Sequence, residues 1–215
     1  MYKRYVKRLI DIAVASALLV ATAPIVIVAS VLIKIDSEGP IIFAQTRIGK
    51  DCRAFRLYKL RTMIVRTHDE TGRKLDDKDR VTRVGRVIRR LSIDELPQLV
   101  NIIKGDMSFV GPRPLLVRYL PYYTDSELRR HEVRPGITGL AQINGRGFLQ
   151  WEERFKYDLE YVDNLSFLLD AKILLRTVYQ VLSGEGSSTD RPSYLVDFDE
   201  HRRFGFNKIL SGEES

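Results

Sequence analysis

Arg89-Arg90-Leu91-Ser92-Ile93-Asp94-Glu95-Leu96-Pro97-Gln98-Leu99 sets two carboxylates side by side behind a pair of arginines. Upstream, Arg80, Arg83, Arg86 and Arg89 recur at every third residue. Adjacent acids beside a row of guanidinium groups suit a site for a phosphate and a divalent cation. One carboxylate would hold the metal while its neighbour serves as nucleophile or base. The same letters also spell a helix start. Ser92-x-x-Glu95 matches a capping box, Pro97 suits a first helical turn, and acids there stabilise a helix end without chemistry. The pattern predicts a helix from Asp94 to Lys104, stopped by Gly105.

On the N-terminal side of this stretch, Val81 to Arg90 puts Val84, Val87 and Ile88 on one face and the arginines on another, which predicts a short helix. His68 to Asp79 is polar and charged and reads as a loop. Pro40 to Ala44 and Phe55 to Leu60 read as strands joined across Ile48-Gly49-Lys50-Asp51. On the C-terminal side, Gly111-Pro112-Arg113-Pro114 is a rigid turn, and Leu115 to Leu128 a helix broken by Pro121. Arg134 to Gly139 reads as turn and loop. Trp151 to Asn164 and Ser166 to Leu182 read as helices, the second with Leu168, Leu169, Ile173, Leu174, Val178, Val181 and Leu182 along a broad apolar face. Gly184 to Ser193 reads as a linker. The aromatic and basic run from Tyr194 to Leu210 suits either a membrane surface or a tail packed on the domain.

The 215 residues carry a formal net charge of +7, which favours anionic partners: nucleic acid, anionic lipid or phosphorylated substrates. Interleaved aromatics of the kind that stack single-stranded bases are missing from the arginine stripe. Cys52 is the single cysteine, so no intrachain disulfide forms, and its polar window offers no partner for a catalytic thiol. His68, His131 and His201 have no ligand spacing with one another or with Cys52, which argues against zinc. No serine elbow, Walker loop or dinucleotide fingerprint occurs. Gly111-Pro112-Arg113-Pro114 holds an arginine on a stiff backbone, suited to bidentate phosphate binding or to a plain surface turn. Asn144-Gly145-Arg146-Gly147 would wrap a phosphate or form a simple turn.

No charged residue occurs from Ile12 to Ile33, a stretch long enough to cross a bilayer as a helix. A signal peptide cleaved after Ala21-Thr22-Ala23 would leave Ile25 to Ile33 at the new N-terminus. A spanning anchor fits the length, but Pro24 removes a backbone hydrogen bond near the middle. Basic residues flank both sides, so the positive-inside rule gives no orientation. A re-entrant helix–break–helix with both ends at the cytoplasmic face and its bend at Pro24 meets these points. From the residues alone, re-entrant and spanning forms both stand.

Taken together, the motifs resemble one family, the bacterial sugar transferases or monotopic phosphoglycosyl transferases. The likeness runs from Lys7-Arg8-Leu9-Ile10-Asp11 to about Leu182. Its markers are Gln45-Thr46-Arg47-Ile48-Gly49, Tyr58-Lys59-Leu60-Arg61-Thr62-Met63, Thr82-Arg83-Val84-Gly85-Arg86 and Ser92 to Leu99. Gly105 to Pro114, Arg134 to Gly139, Gln142-Ile143-Asn144-Gly145-Arg146 and Asp158 to Asp163 complete the set. The resemblance implies transfer of a sugar-1-phosphate from a UDP-sugar to polyprenol (undecaprenyl) phosphate at the cytoplasmic face of the bacterial inner membrane, beginning glycoconjugate or exopolysaccharide assembly. It implies a small, mixed, helix-rich α/β catalytic domain with a re-entrant membrane helix and interfacial amphipathic helices. Residues 1–36 would form the membrane segment, 37–183 the catalytic domain and 184–215 an extension. One departure is Ala23-Pro24, where the family commonly has Ser-Pro; Thr22 would then have to satisfy the open carbonyls.

The resemblance also places the nucleophile at Asp94 and a Mg²⁺ ligand at Glu95. Lys59, Arg86, Arg113 and Arg146 are candidate phosphate contacts, and Asp158 a supporting acid. Membrane lipid is an expected partner and nucleic acid is not. Two other classes remain open at this point. A membrane-surface scaffold would bind lipid without releasing a nucleotide. An enzyme transferring the sugar alone would release UDP instead of UMP.

Overall fold

The run from Ile12 to Ile33 folds as the middle of one long helix, α1 (Lys7–Asp36), which continues through Pro24. The structure is a computed structural model that describes residues 2–69, 71–73, 75–145, 148–183 and 196–203. Where a break was expected at Pro24, the helical assignment is unbroken. The ring removes one donor, to the Val20 carbonyl, and the turns on either side keep theirs. Thr22 does not fill that gap: its hydroxyl donates to the Leu18 carbonyl at 2.7 Å.

After α1 come strands β1 (Ile42–Ile48) and β2 (Ala54–Leu60), paired as a two-stranded sheet. Helices α2 (Asp77–Arg80), α3 (Arg83–Arg90) and α4 (Gln98–Lys104) follow. Strand β3 (Ser108–Val110), helix α5 (Asp125–Leu128) and strand β4 (Gly136–Thr138) precede helices α6 (Leu140–Gly145), α7 (Trp151–Asn164) and α8 (Phe167–Ser183). The chain is a helix-rich α/β fold with two small sheets.

Two compact units emerge. The first holds residues 1–45 and 56–107, the second 46–55 and 108–215. The apolar helix belongs to the first because it packs there towards both of its ends. Ala29 and Ile33 of α1 form a core with Leu60 of β2 and Ile88 of α3. Near its start, Arg8 donates to the carbonyls of Ile102 (2.5 Å) and Ile103 (2.8 Å) in the last turn of α4. There a cation also opposes the helix dipole. At its end, Asp36 accepts from the Val84 amide at 3.0 Å, in the first turn of α3. The buried Arg61 guanidinium then ties down the exit from α1, donating to the carbonyls of Ser37 (2.7 Å), Glu38 (2.6 Å) and Pro40 (2.6 Å).

In the second unit, β3 and β4 run parallel, with Ser108 opposite Gly136 and Val110 opposite Thr138. The stretch expected as loop around Gly136 is therefore a strand. The pairing needs glycine: a Cβ on Gly136 would sit 2.2 Å from the Gly111 nitrogen, and one on Gly111 2.3 Å from the Arg134 carbonyl oxygen. Val110, Val133, Tyr161, Val162 and Ile173 form one core. Leu115, Tyr119, Trp151, Phe155 and Phe198 form another. Residues 198–203 are helical and Phe198 sits in that core, so this segment packs on the second unit. Trp151 donates its indole N–H to the Val196 carbonyl at 3.1 Å, Arg118 pairs with Asp197, and Arg202 with Glu127. The tail reading holds for residues 196–203; Gly184 to Leu195 and Phe204 to Leu210 lie outside the described residues.

Candidate active site

Asp94 and Glu95 lie in a 3₁₀ turn, Ile93–Glu95, between α3 and α4. The expected capping box does not form. Ser92 adopts a left-handed backbone (φ 56°) and makes no side-chain cap bond. It ends α3: the Leu91 amide bonds the Val87 carbonyl at 3.1 Å and the Ser92 amide the Arg89 carbonyl at 3.0 Å. A non-glycine residue held left-handed costs roughly 1 kcal/mol. That cost reverses the chain direction so that the acidic pair follows immediately. The cap expected of Ser92 is made one helix earlier, where the Thr82 hydroxyl accepts from the Gly85 amide at 2.9 Å.

Lys59 comes from β2. Its Nζ lies 2.6 Å from Glu95 Oε1 and 3.8 Å from Asp94 Oδ2. This contact follows from how α4 is fastened to β2. The fully buried Asn101 accepts from the Tyr58 amide at 3.1 Å and donates to the Arg56 carbonyl at 2.7 Å. Neither contact was visible in the sequence, since nothing marks a buried asparagine as a strand clamp. Side-chain exposures of 22% for Lys59, 13% for Asp94 and 20% for Glu95 leave all three within reach of a ligand while partly shielding them from water.

The arginine stripe divides. Arg89 donates to the Thr62 hydroxyl at 2.8 Å, and Arg80 to the carbonyls of Ile64 and Arg66, each at 3.2 Å. Both serve the fold. Arg86 is exposed on α3. Next to the acidic turn lies an apolar groove of about 430 Å³, lined by Pro24, Val28 and Leu32 of α1, Val84 and Val87 of α3, and Ile93. Ile93, one of its lining residues, directly precedes Asp94.

Among the described residues, no three His, Cys, Asp or Glu side chains cluster as a metal cage. Mg²⁺ does not need one: it typically takes one or two carboxylates and completes its shell with water and substrate phosphate oxygens. Two adjacent carboxylates fit that mode.

Arg113 and Asp158 belong to the second unit. Arg113 is exposed, on the Gly111-Pro112-Arg113-Pro114 turn. Arg47, from the end of β1, donates to the Pro114 carbonyl at 3.5 Å. Burial lowers the Arg47 guanidinium to about 10, and the charge of Arg113 adds to that. Asp158 is buried and accepts from Arg130 Nε (3.0 Å) and Nη2 (2.8 Å). Burial pushes its carboxyl above the usual carboxylate range, against the pull of the Arg130 charge. Arg146 lies outside the described residues.

A profile of the bacterial sugar transferases matches residues 2–184. An uncharacterized sugar transferase of Bacillus subtilis (strain 168), EpsL, is 52% identical over 84% of this chain and 89% of its own length. A UDP-glucose:undecaprenyl-phosphate glucose-1-phosphate transferase of Caulobacter vibrioides is 42% identical over 84% of this chain and 71% of its own. A UDP-N-acetylgalactosamine-undecaprenyl-phosphate N-acetylgalactosaminephosphotransferase of Aeromonas hydrophila is 41% identical over 85% of this chain, which spans 45% of that longer protein. The matched span includes α1, Lys59, Asp94 and Glu95, and the chain belongs to the bacterial sugar transferase family.

Proposed function

We propose that this chain is a phosphoglycosyl transferase that moves a sugar-1-phosphate from a UDP-sugar to polyprenol phosphate. The observation that carries this reading is the Lys59–Glu95–Asp94 cluster: a cation 2.6 Å from one carboxylate and 3.8 Å from the next, with Ile93, the residue before Asp94, lining an apolar groove. The relatives whose names state a reaction transfer hexose or hexosamine phosphates to undecaprenyl phosphate.

Asp94 is the nucleophile. Its carboxylate attacks the sugar-bearing phosphorus, the bond from that phosphorus to the bridging oxygen breaks, and UMP leaves with the electron pair. The phosphosugar is then held on Asp94 as a mixed anhydride. A polyprenol phosphate oxygen attacks the same phosphorus, freeing the carboxylate and giving the polyprenyl-diphosphate-sugar. Glu95 would hold Mg²⁺, which would supply charge neutralisation for the diphosphate. Lys59 keeps the Glu95 carboxylate oriented and adds positive charge beside Asp94. Arg86, exposed on α3, is a phosphate contact. The apolar groove suits the first isoprene units of the acceptor.

The membrane reading follows from α1. Its start, through Arg8, and its end, through Asp36, are fastened to the same unit, while only 11% of its most apolar window is buried. A helix crossing a bilayer would carry its ends to opposite sides. Two ends held by one unit favour a helix that lies in the cytoplasmic leaflet over one that crosses the bilayer. On α8, Leu168, Leu175, Val178 and Leu182 are exposed, an apolar face suited to lying at the lipid surface.

The test uses the full chain in detergent with a panel of UDP-sugars and polyprenol phosphate. Wild type should release UMP, and a phosphosugar adduct should be trapped on it by mass spectrometry. Asp94→Asn should show neither. UDP as the product, or full UMP release by Asp94→Asn, overturns the assignment.

A further inference from the structure

Asn101 is wholly buried on α4, beside the core residues Leu99 and Ile102, and cannot meet a substrate. Its side-chain amide makes three hydrogen bonds. Oδ1 accepts from the Tyr58 amide at 3.1 Å, and Nδ2 donates to the Arg56 carbonyl at 2.7 Å and to Asp106 Oδ2 at 3.1 Å. These partners fix which way the amide points, because a backbone N–H only donates while a carbonyl and a carboxylate only accept. The Asn101 backbone carbonyl is engaged as well, accepting from the amides of Gly105 (3.1 Å), Asp106 (3.0 Å) and Met107 (3.3 Å). One residue thus closes the end of α4 and reaches across to β2.

The two groups it meets on β2 are the kind a neighbouring strand would have paired. Arg56 and Tyr58 are alternate residues, so their C=O and N–H face the same edge. A side-chain amide offers a donor and an acceptor together and stands in for that strand. Leucine at this position would pack with Leu99 and Ile102 but would leave both backbone groups without these bonds.

Lys59 is the next residue along. Its long, flexible stem makes the 2.6 Å contact with Glu95 depend on where its backbone is held. Beyond it, the Thr62 carbonyl accepts from the Thr82 amide at 3.1 Å and the Thr62 hydroxyl from Arg89 at 2.8 Å, which ties the end of the strand to α3. The acidic turn joins α3 to α4. The lysine therefore stands between a tie to the helix before the acids and a tie to the helix after them.

We propose that Asn101 is a positioning residue for Lys59, holding β2 against α4 so that the ammonium group meets Glu95 and Asp94. This rests on the reading of Lys59 as the cation beside the nucleophile.

The experiment uses the full chain in detergent, with two readouts: UMP release at varied UDP-sugar, and acylation of Lys59 by an amine reagent, followed by mass spectrometry. N101A should lower kcat about tenfold or more while KM changes less than about twofold, because a misplaced catalytic group costs rate more than binding. On K59M, the same substitution should add less than about twofold, since the group it places is already gone. Lys59 should be acylated about threefold or more faster in N101A than in wild type, with the exposed Lys78 unchanged. Should N101A fail to fold, N101D, which keeps the size and can still accept from the Tyr58 amide, is read in the same way. A wild-type kcat for N101A, a full further tenfold loss on K59M, or unchanged acylation of Lys59 overturns the positioning role. A wild-type kcat for K59M overturns the reading of the lysine and this inference with it. Absence of UMP from wild type overturns the transferase reading instead, and the acylation rates then decide for or against Asn101.

Discussion

Lys59 Nζ lies 2.6 Å from Glu95 Oε1, so the cation from β2 and the acid after α3 form a close ion pair. The pair sits at 20–22% side-chain exposure, where water only partly screens it. Lys59→Met removes the positive charge that two neighbouring carboxylates share. UMP release should fall by about 100-fold or more, with Lys59→Arg retaining a larger share, because a preorganised cation is typically worth that much. Equal rates for Lys59→Met and wild type would assign the lysine to folding alone.

Acid should weaken the second unit through His131. The imidazole is buried beside Arg130, and burial, then that charge, hold it at about 3 against an ordinary 6.5. A histidine kept neutral in the fold takes up its proton more readily when unfolded. Stability is complete above pH 6.5 and is lost as pH falls from there towards 3. The slope is about 1.4 kcal/mol per pH unit at most. Denaturant midpoints across pH 7 to 4 should show that slope in wild type, and His131→Phe should flatten it.

Phe198 lies beyond residues 2–184, the extent of the family match, yet it is fully buried. Its ring sits 5.0 Å from that of Phe155 and 5.2 Å from that of Trp151. Phe198→Ala should therefore destabilise the second unit by about 3–5 kcal/mol, the usual loss for emptying an aromatic site in a core. Thermal melting checks this; an unchanged midpoint would mean the segment is dispensable to the fold.

Asp36 caps α3 by accepting from the Val84 amide at 3.0 Å. Asp36→Ala should cost about 1 kcal/mol, as loss of a helix cap does. Because α3 leads into Ser92 and the acidic turn, kcat should fall as well. Asp36→Asn, which can still accept from the amide, should recover most of both.

Long, periodic segments were legible in the sequence. Trp151–Asn164 emerged with its expected bounds, and Phe167–Ser183 within a residue of them. Their periodicity is local, so the letters alone suffice. The acidic pair was legible as two neighbouring carboxylates but not in its geometry. Ser92 read as a cap, whereas it is the left-handed stop of α3, because tertiary packing of α3 and α4 sets the turn between them. The apolar face expected on α8 exists, but of its residues only Ile173 is fully buried; Leu168 and Leu182 face outward. Hydropathy marks an apolar surface without saying whether protein or lipid covers it. Partnerships between residues far apart in the chain left no signal: Arg130 with Asp158, Arg61 with the exit of α1, Asn101 with β2. Buried charges look like surface charges until the fold brings their counter-ions to them.

The fastening of α1 at both ends makes the apolar helix something other than a leash. Arg8 closes the last turn of α4 and Asp36 opens the first turn of α3, and these two helices bracket Asp94 and Glu95. A foreign anchor of equal length and hydropathy would bring the chain to the bilayer and still leave α3 and α4 ragged at those ends. Cutting the first 36 residues away would not liberate a soluble catalytic half; it would remove one wall of the groove that Ile93, the residue before Asp94, also lines.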